Sequence, residues 1–267
     1  MGACVSDIIE VVNTIAPFSL SEKWDNSGLQ VGDYQWPVTR ILVALDVTMA
    51  AMDEARKWNA DLVLTHHPLM IKPEKSIDFG KMPGAAIEQA AKEKIAILSA
   101  HTNLDKARDG LNDYFAQVIG IQCDLPFSPD TDDKAVGIGR MGKLDRVMSL
   151  ESLADQIKNR LKISSLRVAG DLELLVENIA LCTGSGGSLT DHFLNSSAQA
   201  YITGDLKYHE ARDIEAHGKA VIDVGHFASE HIVVDLLQNR LELELPKAGF
   251  EIEIQGFKKE KDPFKTI

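Results

Sequence analysis

Apolar runs of strand length alternate with helical stretches through most of the chain, and this alternation limits its fold more than any other feature. "RILVALDVT" (Arg40 to Thr48) reads as a strand and "MAAMDEARKWNA" as a helix with Ala51, Ala55 and Trp58 along one side. "DLVLTHHP" is the next strand, "MPGAAIEQAAKEK" a helix, "IAILSAHTNLD" a strand and "GLNDYFAQVIG" a helix. Parallel strands need crossover connections, and helices supply them. The order therefore predicts an α/β fold with a largely parallel sheet.

A break follows at "CDLPFSPDTDDKAVGIGRMGKL", whose prolines, acidic run and glycines predict a linker or domain crossing. The pattern then resumes with the helix "MSLESLADQIKNRLK", capped by Ser149, and the strand "LRVAGD". "VENIALCTGSGGSLTDHFLN", "AQAYITGDLKYHEARDIEAHG" and "AVIDVGHFASEHIVVDLLQNRLE" each give a strand, a turn and a helix, and "FEIEIQG" is a final strand. The terminal "FKKEKDPFKTI" is polar and is expected to fray. "ILVALDVT…ADLVLTHHP" and "NIALCTGSGG…AQAYITGDLKYH" share one order of elements, and each second strand ends in Thr with metal-capable or acidic residues. This predicts two similar α/β domains related by internal duplication.

A chain of 267 residues can form one large domain or two ordinary ones. The net charge of −12 argues against a broad basic footprint for nucleic acid and suits a protein that holds cations. No run approaches the roughly 18–20 apolar residues of a membrane span. Cys4, Cys123 and Cys182 form no paired motif, which fits a reducing, cytoplasmic location. "MGACVS" matches an acylation pattern. The stronger reading is that Ser6 caps a helix over "DIIEVVNTIA", with Ile8, Ile9, Val12 and Ile15 at helical spacing.

In open parallel sheets, functional groups collect at the carboxyl ends of the strands. Those positions hold Asp46 with Thr48, then Thr65-His66-His67, then His101 with Asp105, then Gly225-His226, with Glu230 one helical turn further. Imidazoles and carboxylates without thiolate are the donors of a divalent-metal site. Adjacent side chains at a strand end diverge, so His66 and His67 suit two different ions. One ion would take a strand histidine and Asp105, the other the second histidine and His226, with Glu230 free to bridge. On pattern alone this is balanced against ordinary packed or surface histidines. The grouping requires a discontinuous first domain, residues 1–126 plus 222–267, with 127–221 as the second.

Asp46, Thr48 and His101 are candidates for supporting or substrate contacts, against ordinary capping and turn bonding. "WDNSGLQVGD" is an active-site loop or a tight turn anchored by Trp24, and "CTGSGGSLTD" an anion cradle or a plain turn. Asp205, Lys207 and His209 could approach a metal cleft or an interface, whereas His192 and His217 read as surface or helix residues.

"WDNSGLQVGD", "LDVT", "THHPL", "AHTNLD", "TGDLKYHEA" and "DVGHFASE" resemble, in order, the signature blocks of the GTP cyclohydrolase I type 2 homologue family, also called Nif-three-like proteins. The blocks run from about Trp24 to Glu230, and the chain lacks the extra domain inserted in some members. The resemblance implies two related α/β domains, a toroidal homohexamer and a dinuclear centre ligated by His66, His67, Asp105, His226 and a bridging Glu230. It implies two divalent ions per chain (Zn, Fe, Mn, Co or Ni) and a metal-dependent hydrolase acting on a small, nucleotide-like substrate. The alternative is a non-catalytic regulatory or interaction protein, or a metal chaperone.

Overall fold

The computed structural model describes residues 2–131 and 133–265. Met1 of the acylation pattern, Asp132 of the proline- and glycine-bearing break and the last two residues of the polar tail lie outside the described residues. The chain divides into two compact units, Met1–Ala107 with Val233–Glu260, and Arg108–Ile232 with Lys261–Ile267.

In chain order the first unit holds β1 (Ala3–Cys4), α1 (Val5–Ile15), β2 (Gly28–Val31), β3 (Pro37–Val38), β4 (Arg40–Ala44), α2 (Met49–Trp58), β5 (Leu62–Thr65), α3 (Gly84–Glu93), β6 (Ala96–Ser99) and α4 (Thr102–Lys106). The second unit holds α5 (Leu111–Ile119), β7 (Gln122–Pro129), β8 (Gly137–Ser149), α6 (Leu150–Leu161), β9 (Arg167–Ala169), β10 (Leu175–Ser185), α7 (Thr190–Leu194), β11 (Ala200–Gly204), α8 (Tyr208–Ala216), β12 (Ala220–Asp223) and α9 (His226–Glu230). The chain then returns to the first unit with α10 (Val233–Lys247) and β13 (Glu253–Gly256).

The fold is α/β. Among the described residues, the main sheet of the first unit runs β13-β4-β5-β6-β2, parallel except for β2 at its edge. The sheet of the second unit runs β7-β8-β10-β11-β12-β9, with β10, β11 and β12 parallel and the other pairings antiparallel. Every residue of β5 and β6 is buried, which a parallel sheet covered on both faces requires. Met52 and Ala55 of α2 and Ala86 and Ala90 of α3 pack with Leu42, Val63 and Ile97. The helix starts follow local chemistry. Thr48 Oγ1 accepts from Ala51 N at 3.1 Å to cap α2, and Ser149 Oγ accepts from Ser152 N at 3.3 Å to cap α6.

Four expectations change. The helix α1 is capped two residues earlier than Ser6: Cys4 occupies the cap, and Asp7 Oδ2 accepts from Cys4 N at 2.8 Å. The break expected as a linker is instead the antiparallel pair β7–β8. Its prolines sit on the edge strand, where a missing N–H costs no ladder bond. Gly142 is there for close approach, since a Cβ would meet Gln122 O at 2.2 Å. The units also divide elsewhere than at 127 and 221. Phe115, Ala116 and Ile119 of α5 share a core with Leu150, Ile157, Ile179, Ile202 and Ile222, so α5, β12 and α9 all belong to the second unit. Finally, the tail is docked through Glu260. Phe257 is buried, and Glu260 Oε2 and Oε1 accept from Leu45 N and Asp46 N at 2.9 Å each.

Phe115 is fully buried at the centre of the core of the second unit. Phe115→Ala is expected to lower the unfolding free energy by about 3–5 kcal/mol in a denaturant titration. A loss below about 1 kcal/mol would mean that α5 is not part of that core.

Candidate metal centre

In the first unit, β5 and β6 end level with each other, Thr65 opposite Ser99. The residues that follow, His66-His67 and Ala100-His101, leave the sheet at one carboxyl edge. Backbone bonds hold them there: Ala100 N donates to Thr65 O at 2.9 Å, and His67 N to Leu45 O at 3.0 Å. Three imidazoles thereby converge. His66, His67 and His101 each offer a ligand atom, and these atoms lie within 4.8 Å of one another.

The second nitrogen of each ring is already engaged. His66, fully buried, has Nδ1 2.9 Å from Ala100 O. His67 Nδ1 lies 2.8 Å from Asp46 Oδ1, and His101 Nδ1 lies 2.7 Å from Asp25 Oδ1. A carbonyl or carboxylate oxygen only accepts, so each Nδ1 carries a proton, and a neutral ring so held would present its lone pair at Nε2. His66 Nε2 faces Asp105 Oδ1 of α4 at 3.7 Å, two acceptors at a spacing that suits a shared cation.

Asp25 comes from the "WDNSGLQVGD" loop and holds more than His101. It accepts from Ser27 Oγ at 2.8 Å, from Thr102 N at 3.1 Å and from the Thr102 hydroxyl. Burial opposes its ionisation, but the bonds from His101, Thr102 and Ser27 outweigh burial and hold its carboxyl well below the usual carboxylate range. Asn26 Nδ2 donates to Met70 O at 2.6 Å and ties the same loop to the segment after the histidine pair. Trp24 is not a packing anchor: it is 62% exposed, its ring edge-on to His101 at 6.1 Å.

In the second unit, β11 and β12 also end level, Thr203 opposite Asp223. His226 opens α9, and Glu230 follows one turn later on the same face, Oε2 lying 2.8 Å from His226 Nε2. His226 Nδ1 lies 2.8 Å from Asp205 Oδ2. Asp205 has a left-handed backbone, φ 53°, which aspartate tolerates better than most residues. The ring thus sits between two carboxylates, and a divalent ion on the Nε2 side would take the place of a proton there. Glu230 is buried against Gly184, where φ is 62° and a Cβ would lie 2.0 Å from Glu230 Oε1. Only glycine leaves room for that carboxylate.

The donor chemistry of both sets therefore fits a divalent metal. Asp46 and His101 stand beside the paired histidines as expected, whereas the Thr48 hydroxyl is spent on capping α2. Asp205 orients His226, while Lys207 pairs with Glu210 at 3.8 Å and His209 lies against Tyr208. His231 stacks on Phe227. In the glycine loop, Gly186 O accepts from the buried Tyr201 hydroxyl at 2.9 Å, which favours a structural turn. His192 Nε2 meets Phe127 O at 2.7 Å and His217 Nδ1 meets Asp213 O, both ordinary backbone contacts. Sequence reading missed Asp25, Gly184 and Glu260. The only signal for Asp25 was its place in a polar loop beside Trp24.

The chain is similar to known proteins over nearly all of its length. The sequence profile of Duf34/NIF3 (NGG1p interacting factor 3) matches residues 3–263. A GTP cyclohydrolase 1 type 2 homolog of Clostridium acetobutylicum is 35% identical over 266 residues, 99% of each chain. One from Clostridium perfringens is 35% identical over 263 residues, 98% of this chain and 99% of the other. Among solved structures, a hypothetical protein of Staphylococcus aureus superposes over 100% of both chains with a TM-score of 0.94 at 27% identity. A Bacillus cereus protein related to NIF3 shares the fold over 100% of both chains, TM-score 0.94, at 23% identity.

The depressed carboxyl of Asp25 makes a pH prediction. The unfolded chain binds its proton near pH 4, whereas the folded chain binds it only at lower pH. Stability from this group is therefore complete above about pH 4 and is lost as pH falls below it. Unfolding titrations between about pH 6 and pH 2.5 should show a shallower acid loss for Asp25→Asn than for the wild type. Equal slopes would remove Asp25 as the source.

Proposed function

The chain belongs to the Duf34/NIF3 family, and on that premise we propose that it is a dinuclear divalent-metal protein working as a metal-dependent hydrolase. In this reading the residues that would hold the metal are His66, His67, Asp105, His226 and Glu230. Glu230 would be the ligand that the two ions share. One observation carries the reading. Nδ1 of every proposed imidazole ligand is held by an oxygen acceptor: Ala100 O for His66, Asp46 for His67 and Asp205 for His226. Such outer partners fix the tautomer and raise ligand basicity, as they do in metal sites generally.

Bound ions would supply Lewis acidity toward a substrate oxygen and make a water more acidic. The chain's own groups then orient and bind. Asp46, Asp205 and Ala100 O fix the rings, and Asp25 fixes His101 as a polar contact for substrate. The exposed Trp24 ring beside His101 suits a planar group, and the name of the relatives makes nucleotides the first substrate class to test. Imidazole and carboxylate donors accept Zn, Fe, Mn, Co or Ni. The family's description as an interacting factor supports a second reading, a non-catalytic metal-binding interaction protein. A metal chaperone is a further form of it. No helix among the described residues is long and apolar enough to cross a membrane. A cytoplasmic, toroidal hexamer completes the proposal.

Protein purified without chelator is expected to carry up to two ions per chain by elemental analysis. Glu230→Ala should reduce occupancy at both sites and Asp105→Asn mainly at one. Full occupancy in Glu230→Ala would remove the bridging role. Turnover of a nucleotide panel that disappears in His67→Ala separates the enzyme from the interaction protein. The assembly carries its own test. Six chains of charge −12 need apolar contacts or bound cations to offset their repulsion. The expected result is a hexamer in solution that survives chelation; a monomer at low and high salt would refute the ring.

A further inference from the structure

The docked tail reaches the metal-ligand set through a short chain of bonds in the first unit. After β13, Phe257 N donates to Val43 O at 2.7 Å and the Phe257 side chain is buried in the core with Leu42 and Val63. Three residues on, the Glu260 carboxylate meets the end of β4, one oxygen on Leu45 N and the other on Asp46 N. This is the point at which the chain leaves the sheet and Asp46 turns its own carboxylate to His67 Nδ1. Lys259 ties the tail separately, through Glu54 of α2 at 3.1 Å.

We propose that Glu260 is a positioning residue for His67, acting through the backbone of Asp46. The proposal rests on the reading of His67 as a metal ligand. Two parallel N–H···O bonds from consecutive amides to one carboxylate fix both the position and the direction of the peptide between them. That peptide carries Asp46, and the Asp46 carboxylate sets which nitrogen of His67 keeps the proton. Without Glu260, two amides at the strand end lose their acceptor, and the Asp46 side chain gains rotational freedom. His67 would then populate both tautomers, and in the Nε2-protonated form its ligand atom is blocked. An ordinary tail anchor would stabilise the unit without altering the ring.

The test compares wild type, Glu260→Ala, Glu260→Gln and Lys259→Ala in the full chain. The first readout is the nitrogen NMR shifts of His67 in metal-free protein. Wild type and Lys259→Ala should keep the proton on Nδ1, and Glu260→Ala should give a mixture of tautomers. The second is competition for zinc alone against a chromogenic chelator. Glu260→Ala should bind about 10-fold more weakly, the low end of what losing an outer partner costs, and Lys259→Ala should match the wild type. Glu260→Gln keeps one acceptor oxygen and the size of the side chain. It should fall between the two, and it keeps the experiment decisive if the alanine variant does not fold. Unchanged tautomers and unchanged affinity in both Glu260 variants would overturn the proposal. So would a Lys259→Ala variant that loses as much as Glu260→Ala. If wild type takes up no zinc, the metal-ligand reading fails, and the tautomer shifts still decide whether Glu260 positions His67.

Discussion

The hydrogen bond from Nδ1 of an imidazole to a fixed oxygen acceptor is the interaction on which the site depends. A histidine ring has two tautomers of similar energy and rotates freely about its stem, so a bare cluster of histidines has no defined ligand geometry. Here Asp46, Asp25 and Asp205, with the carbonyl of Ala100, each take one ring nitrogen. The ring planes are thereby set, and for His66, His67 and His101 the proton is held at Nδ1. The acceptors are themselves held. Asp25 is held by Ser27 and Thr102, and the Asp46 backbone by Glu260. Each of these carboxylates stands beside a ring, and His226 stands between two, a charge that a divalent ion would offset.

The parallel sheet explains how so many fixed groups reach one edge. Parallel strands all deliver their following residues to the same side, so β4, β5 and β6 bring Asp46, His66-His67 and His101 to one rim. The strands β11 and β12 do the same for Asp205 and His226. Buried strands make each edge rigid, while the short helix α4 carries Asp105 beyond the edge of the first unit and α9 carries Glu230 beyond that of the second. Gly184 shows how tightly the second set is built, because no larger residue fits beside Glu230.

Much of this was legible in the sequence because strand and helix periods are local and strand ends are easy to place. The β4-α2-β5-α3-β6 order could be read directly, and so could the pairing of His226 with Glu230 on one helical face. What failed was non-local. The β7–β8 pair looks like a linker because its glycines and prolines answer to neighbouring backbone, not to their own segment. The unit boundary was misplaced because α5 is as amphipathic as a first-unit helix would be, and only the core it joins tells them apart. Asp25 is separated by 76 residues from His101, and Glu260 by 214 from Asp46, so no spacing rule connects either pair. The polar tail was expected to fray because charge alone argues for solvent, whereas two backbone amides at a strand end provide a partner for its glutamate.

In the proposed centre the rings would bind through Nε2. Anomalous diffraction from metal-loaded crystals tests it most directly. Two anomalous peaks per chain are expected, one at His66 Nε2 and the other at His67 Nε2, with Nδ1 of each still on Ala100 O and Asp46. Ligation through Nδ1, or a loaded crystal with no peak at these histidines, would contradict it.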